Sequence, residues 1–162
     1  MRKIKNPWID KAGYNCFGCS PNNEAGVKME FFEDGDDVVS FWKPDPSFQG
    51  WINTLHGGIQ SLLFDEICAW TILRKMQTTG VTAKLDVRFM KPVMTTSQQL
   101  TLRAHIVDKK RNLVTVEAKL FDDKDMECAK ATAIYYTSLQ EEASQKMEFH
   151  GCECEGDELL PM

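Results

Sequence analysis

No run of apolar residues in this chain approaches the ~18–20 that a membrane-spanning helix needs, so no such span is expected. No internal repeat, low-complexity stretch or Pro/Gly-rich linker divides its 162 residues, which points to one domain. An excess of basic charge is also missing. The formal net charge is −5, and residues 139–162 hold seven acidic side chains against one lysine, Lys146, which leaves residues 1–138 near +1. So neutral a body lacks the concentrated basic face that phosphate neutralisation demands, and nucleic acid is not the expected partner. The opening MRKIKNPWID is basic, but no apolar stretch follows it as in a secretory signal, and a cytoplasmic location is the expectation.

Cysteine, by contrast, is present six times, at Cys16, Cys19, Cys68, Cys128, Cys152 and Cys154. With no export signal, disulfides are not expected. Free thiols are the plain reading, with no metal and no cofactor. The alternative is a zinc site drawing on Cys16-x-x-Cys19 and on His150-x-Cys152-x-Cys154.

Residues 27–33 alternate, Asp34-Gly35-Asp36 makes a turn, and 38–43 (VVSFWK) reads as a second strand. Pro44, Pro46 and Gly50 mark a loop. From Gly57 to about Gln77 nothing breaks a strongly apolar helix, and Thr78, Thr79 and Gly80 close it. Further strands follow at about 82–93, 97–108, 112–122 and 126–138, separated by polar clusters at hairpin spacing. One long apolar helix against an antiparallel sheet of five to six strands is an α+β architecture in which the sheet wraps the helix. The domain covers 1–138. The acidic tail 139–162 reads as a solvated, disordered extension or a short helix.

At 100° per residue Ile59, Leu62, Leu63, Ala69, Trp70, Leu73 and Met76 form a broad apolar arc, with Gln60, Thr71, Arg74 and Lys75 mostly opposite. Asp65 and Glu66 both project into the arc. A carboxylate buried without a partner is costly, so each is either paired, within the chain or across a subunit contact, or functional. His56-Gly57-Gly58 opens the same helix, where backbone N–H groups have no helical acceptor and the dipole is positive. Glycine there lets a carbonyl or oxyanion come close to the amides. An ordinary loop-to-helix junction would look the same.

Leu55-His56-Gly57-Gly58-Ile59 with Asp65 nine residues after the histidine resembles the hotdog-fold acyl-CoA thioesterases, in particular the phenylacetate-pathway (PaaI-like) type of the 4-hydroxybenzoyl-CoA thioesterase superfamily. Cys16-Phe17-Gly18-Cys19, Asn22 and Gly26-Val27 resemble the opening of many such proteins. Thr82–Pro92 is similar to their strand leaving the helix, and Ala129-Lys130-Ala131-Thr132 to their closing strand. The likeness spans about 14–138. It implies a hotdog fold, a homodimer or a dimer of dimers, and hydrolysis of an acyl-CoA thioester. By the same likeness Asp65 is the nucleophile or general base, the Gly57 amide polarises the carbonyl, His56 orients the loop or thioester, and Thr82 holds the attacking water. Gly50 stands where many relatives carry Asn or Gln, so Gln49 or Asn53 takes that place. Ile52 and Asn53 replace their usual Pro-Gly pair. Gly58, Gln49, Asn53, Glu66, Arg88 and Lys91 are the candidate substrate-binding residues, with the Lys109-Lys110-Arg111 turn also able to meet coenzyme A phosphates.

One check is independent of the likeness. Gly57 and Asp65 lie about 12 Å apart along one helix, so a single thioester carbon cannot reach both in one chain. If both act, a second copy must complete the site. Two other functions stay open: a non-catalytic dimer that binds acyl-CoA or an acyl carrier, and a hydratase or dehydratase of the same fold.

Overall fold

The computed structural model describes residues 1–157. Helix α1 spans Gly57–Met76 and lies in the hollow of a single seven-stranded antiparallel sheet. The strands are β1 (Arg2–Lys3), β2 (Phe32–Asp34), β3 (Asp37–Trp42), β4 (Gly80–Phe89), β5 (Leu100–Lys110), β6 (Leu113–Phe121) and β7 (Glu127–Thr137), and their spatial order is β1-β2-β3-β5-β6-β7-β4. This is the hotdog arrangement. A short second helix, α2, runs Gln140–Met147.

Local chemistry accounts for the elements. His56 caps α1, its Nδ1 accepting from the Gly58 amide, and Gln77 ends it in the left-handed region, with Arg74 and Lys75 at the negative end of the dipole. Gly35, at φ +61°, makes the β2–β3 turn, where a side chain would be strained. Asp122 accepts from the Lys124 and Met126 amides and shapes the β6–β7 connection.

The sheet closes on α1 more completely than the apolar arc suggests. Leu63, Phe64, Ile67, Cys68 and Ile72 are fully buried, whereas Ile59, Leu62, Ala69 and Met76 are only half so. Gln60 and Thr71, expected on the polar side, are buried too, because a wrapped helix has little free face. Thr71 Oγ1 donates to the Ile67 carbonyl and Gln60 Nε2 to that of Leu55. Ala129, Ala131 and Ala133 of β7 line the inner face, and their small side chains leave room for the helix.

Two expectations change. The added strand is β1, two residues long and carrying no alternation signal, which is held by pairing with β2. Residues 27–31 are not strand, and the sheet takes up only Phe32–Asp34 of that stretch. Of the two forms expected for the tail, the described residues to 157 show the short helix and not the solvated extension. After α2 it folds back along the N-terminus, with Lys5 N bonded to Glu153 O, Glu155 N to Lys3 O, and Phe149, Cys152 and Cys154 buried. Residues 158–162 of that tail lie outside the described part.

Candidate active site

The helix start is a site of unequal amides. Gly58 N–H donates to His56 Nδ1 at 2.8 Å, so this expected substrate contact is already engaged. That bond fixes the imidazole as an acceptor at Nδ1 and leaves its Nε2 as the protonated nitrogen. Gly57 is the first helical residue, has no acceptor within the helix, and no turn or side-chain bond takes its N–H among the described residues. Phe89, at the end of β4, stands against it: a methyl group built on Gly57 would meet that ring at 3.5 Å.

A cleft of about 750 Å³ opens there, lined by Gln49, Trp51, His56, Gly57 and Phe89 among others. Gln49 Oε1 accepts from the Asn53 amide, and Asn53 takes a left-handed conformation that asparagine tolerates well. These two candidates are therefore brought together, with Gln49 bracing the loop. Trp51 and Ile52 at its tip are 84% and 82% exposed.

Asp65 sits two turns along α1, facing β4 and β7. Thr82 Oγ1 donates to its Oδ1 at 2.7 Å and Tyr135 OH donates to the same oxygen at 2.8 Å. The Tyr135 hydroxyl also reaches the Asp65 backbone oxygen. Among the described residues no hydrogen bond falls on Oδ2, which stays free to accept. Thr82 thus spends its one proton on the carboxylate and not on a water, though its lone pairs remain available. Burial, reinforced by the neighbouring thiol of Cys68 and the Asp65 carboxylate, pushes the Tyr135 phenol far above its ordinary range, so it is a permanent donor.

Tyr135 was not among the sequence candidates. Its only signal is position: it follows the alternating inward alanines of β7 as a single large polar ring, at a point where the helix partner cannot be read from the chain. Thr82 lies beside a β-bulge between Thr82 and Lys84, which turns the following residues so that Thr82, Leu85 and Val87 all face inward.

Glu66 points about 100° round α1 from Asp65. Its Oε1 accepts from Trp70 Nε1 at 3.1 Å and from the Cys16 thiol at 3.6 Å. Cys19 donates toward Cys16, which lowers the Cys16 thiol, and the same bond together with burial raises Cys19. Cys152 and Cys154 do not join this pair. They are buried beside Arg74 and Glu33, and His150 bonds Ser144, so the larger zinc cluster is not formed. Arg88 lies on the outer face of β4 in a separate cleft with Asp86, Lys119 and Lys130. Lys91 follows β4, its amide bonded to Cys128 O. Within one chain neither cation joins Gly57 or Asp65.

Residues 52–129 match the model of the thioesterase superfamily. No curated protein matches the sequence. Among solved structures the chain is similar to a thioesterase superfamily protein (19% identity, TM-score 0.69), with 75% of this chain and 62% of that one covered, so it spans less than two thirds of that relative. It is similar to a hypothetical thioesterase from Streptococcus pneumoniae crystallised with coenzyme A (21% identity, TM-score 0.64, 69% of this chain and 87% of that one). It is also similar to the PaaI protein of the E. coli phenylacetic acid degradation operon (13% identity, TM-score 0.64, 70% and 81%).

Proposed function

We propose that this hotdog-fold chain, whose residues 52–129 match the thioesterase superfamily model, hydrolyses an acyl-CoA thioester to the free acid and coenzyme A, as a PaaI-like homodimer or dimer of dimers. The observation that carries this reading is the pairing on one helix of an uncommitted N-terminal amide, Gly57, with a carboxylate, Asp65, whose Oδ1 is held by two hydroxyl donors and whose Oδ2 is free. The Gly57 N–H and the helix dipole stabilise the oxyanion that forms as the thioester carbonyl is attacked. Asp65 takes a proton from the attacking water through Oδ2, or attacks the carbonyl itself.

The separation of about 12 Å along α1 makes the site composite: the carbonyl bound at Gly57 of one subunit is served by Asp65 of the partner subunit. Two features support a second copy. Strand β4 is the edge of the sheet, and Val81 and Phe89 on it are 55% and 52% exposed. His56, with Nδ1 occupied, orients the loop at the helix start. Gln49, with Asn53 bonded to it, and Gly58 border the carbonyl at the helix start of their own chain, while Glu66, Arg88 and Lys91 border the substrate only where the partner brings them near.

The same bonds to Asp65 would also hold a structural carboxylate in a dimer that binds an acyl-CoA without cleaving it. A panel of short, long and aromatic acyl-CoA esters, assayed by thiol release with Asp65→Asn beside the parent, separates the two. Turnover that falls by about two orders of magnitude or more in the variant supports hydrolysis. Binding of an ester with no turnover in the parent overturns it.

A further inference from the structure

The best-built cluster outside the Asp65 face is the Cys16–Cys19 loop against α1. Its chemistry is that of a metal site. The two thiols and the Glu66 carboxylate present one ligand atom each, all within 4.8 Å of one another. We infer that Cys16 Sγ, Cys19 Sγ and the Glu66 carboxylate bind one thiophilic divalent cation of the zinc class, tying the N-terminal loop to α1.

Four observations carry this. The spacing Cys-x-x-Cys is the one that lets two thiolates of a tight turn share a tetrahedral ion. Zinc–sulfur and zinc–oxygen bonds of about 2.3 and 2.0 Å at tetrahedral angles separate those ligands by about 3.5 Å, and Cys16 Sγ stands 3.6 Å from Glu66 Oε1. The loop is preset: Ser20 N bonds Cys16 O, Val27 N bonds Phe17 O, and Met29 N bonds Gly18 O. Outer donors hold two of the ligands, Trp70 Nε1 on Glu66 and Tyr14 OH beside Cys19 Sγ at 2.9 Å.

Glycine at 18 is part of the construction. A methyl group built there would fall 2.3 Å from the Glu66 carboxylate, so only glycine lets that group sit over the turn. Three protein ligands leave a fourth position for water or an exchangeable ligand. Binding releases the thiol protons to solvent and needs no oxidant. The inference does not rest on the thioester reading, since Glu66 and Asp65 have separate partners, Trp70 and Cys16 for the one and Thr82 and Tyr135 for the other.

The test is metal content and cobalt spectroscopy on the reduced full-length protein, purified without chelator. Elemental analysis should find about one equivalent of zinc per chain. Protein stripped of metal and titrated with Co2+ should show a thiolate-to-cobalt charge-transfer band and tetrahedral d–d bands. Cys16→Ser should abolish stoichiometric binding. The near-isosteric Glu66→Gln, checked for folding by circular dichroism, should weaken it about 10–100-fold. Asp65→Asn should bind as the parent does, whatever its activity. Less than about a tenth of an equivalent with no charge-transfer band in reduced protein overturns the proposal. So does a cobalt spectrum unchanged by Cys16→Ser, or a Cys16–Cys19 disulfide that accounts for both sulfurs in the native protein.

Discussion

His56 Nδ1 takes the Gly58 amide, while the Gly57 N–H at the positive end of α1 has no acceptor among the described residues. That amide can be deleted without losing the helix. Proline suits a first helical position, where its missing N–H costs no helical bond, and the preceding His56 already has the extended geometry (φ −58°, ψ 133°) that a proline imposes on its neighbour. Gly57→Pro is therefore expected to fold like the parent and to lose about 10²–10³ in kcat on any ester that the parent hydrolyses, read from steady-state kinetics. A fully active proline variant would remove Gly57 from the mechanism. On the carboxylate side, Tyr135→Phe deletes one of two donors on Asp65 Oδ1. It should cost about 1–3 kcal/mol in urea unfolding, because buried acceptors are left short of a partner. The proposed mechanism adds a fall in kcat with KM little changed, since the aim of Oδ2 is lost while the ester still binds.

Between elements, a network of ion pairs runs from the end of α1 to β2. Arg74 and Lys75 both reach the Glu33 carboxylate, Arg2 of β1 bonds it as well, and Asp157 of the returning tail accepts from Arg2 and Arg74. The Arg74 guanidinium, aided by Lys75 and Arg2, holds the Glu33 carboxyl far below its usual range. A carboxylate so depressed contributes stability in full above its unfolded value of 4.5 and loses it as pH falls toward the native value. Glu33→Gln should thus unfold at lower urea than the parent at pH 7, by about 2–4 kcal/mol, because Arg74 and Lys75 lose the carboxylate they share and Arg74 keeps only Asp157. The gap should narrow as the pH is lowered below about 5. A constant gap across that range would show that packing, not charge, holds this corner.

At the scale of the whole molecule, the composite site makes a prediction that no single chain can meet. Gly57→Pro and Asp65→Asn should each be inactive alone, yet mixed and allowed to exchange subunits they should recover activity. A mixed dimer has one site with both residues intact and one with neither, so equal parts should return about a quarter of the parent rate. No recovery, in dimers shown by mass analysis to have exchanged, would place both groups in one chain and refute the shared site.

The helix from Gly57 and the four strands after it are legible in the sequence because each rests on local signals: an unbroken apolar stretch, a histidine cap, polar turns at hairpin spacing. The His-Gly-Gly start and Asp65 are legible for the same reason, as local motifs. What needed tertiary structure is whatever depends on contact between distant segments. The burial of Gln60 and Thr71 follows from how far the sheet curls around α1, and no periodicity encodes that. Tyr135 lies 70 residues from the carboxylate it holds. The tail's local charge allows a solvated extension or a short helix, and it forms the helix, while the pairing of Asp157 with Arg2 and Arg74 is set by distant contacts. Cys16-x-x-Cys19 is visible as a motif, but its third partner, Glu66, is 50 residues away from Cys16 and became its neighbour only when the loop closed on the helix. Composition and period determine elements; only the fold decides which side chains share an oxygen.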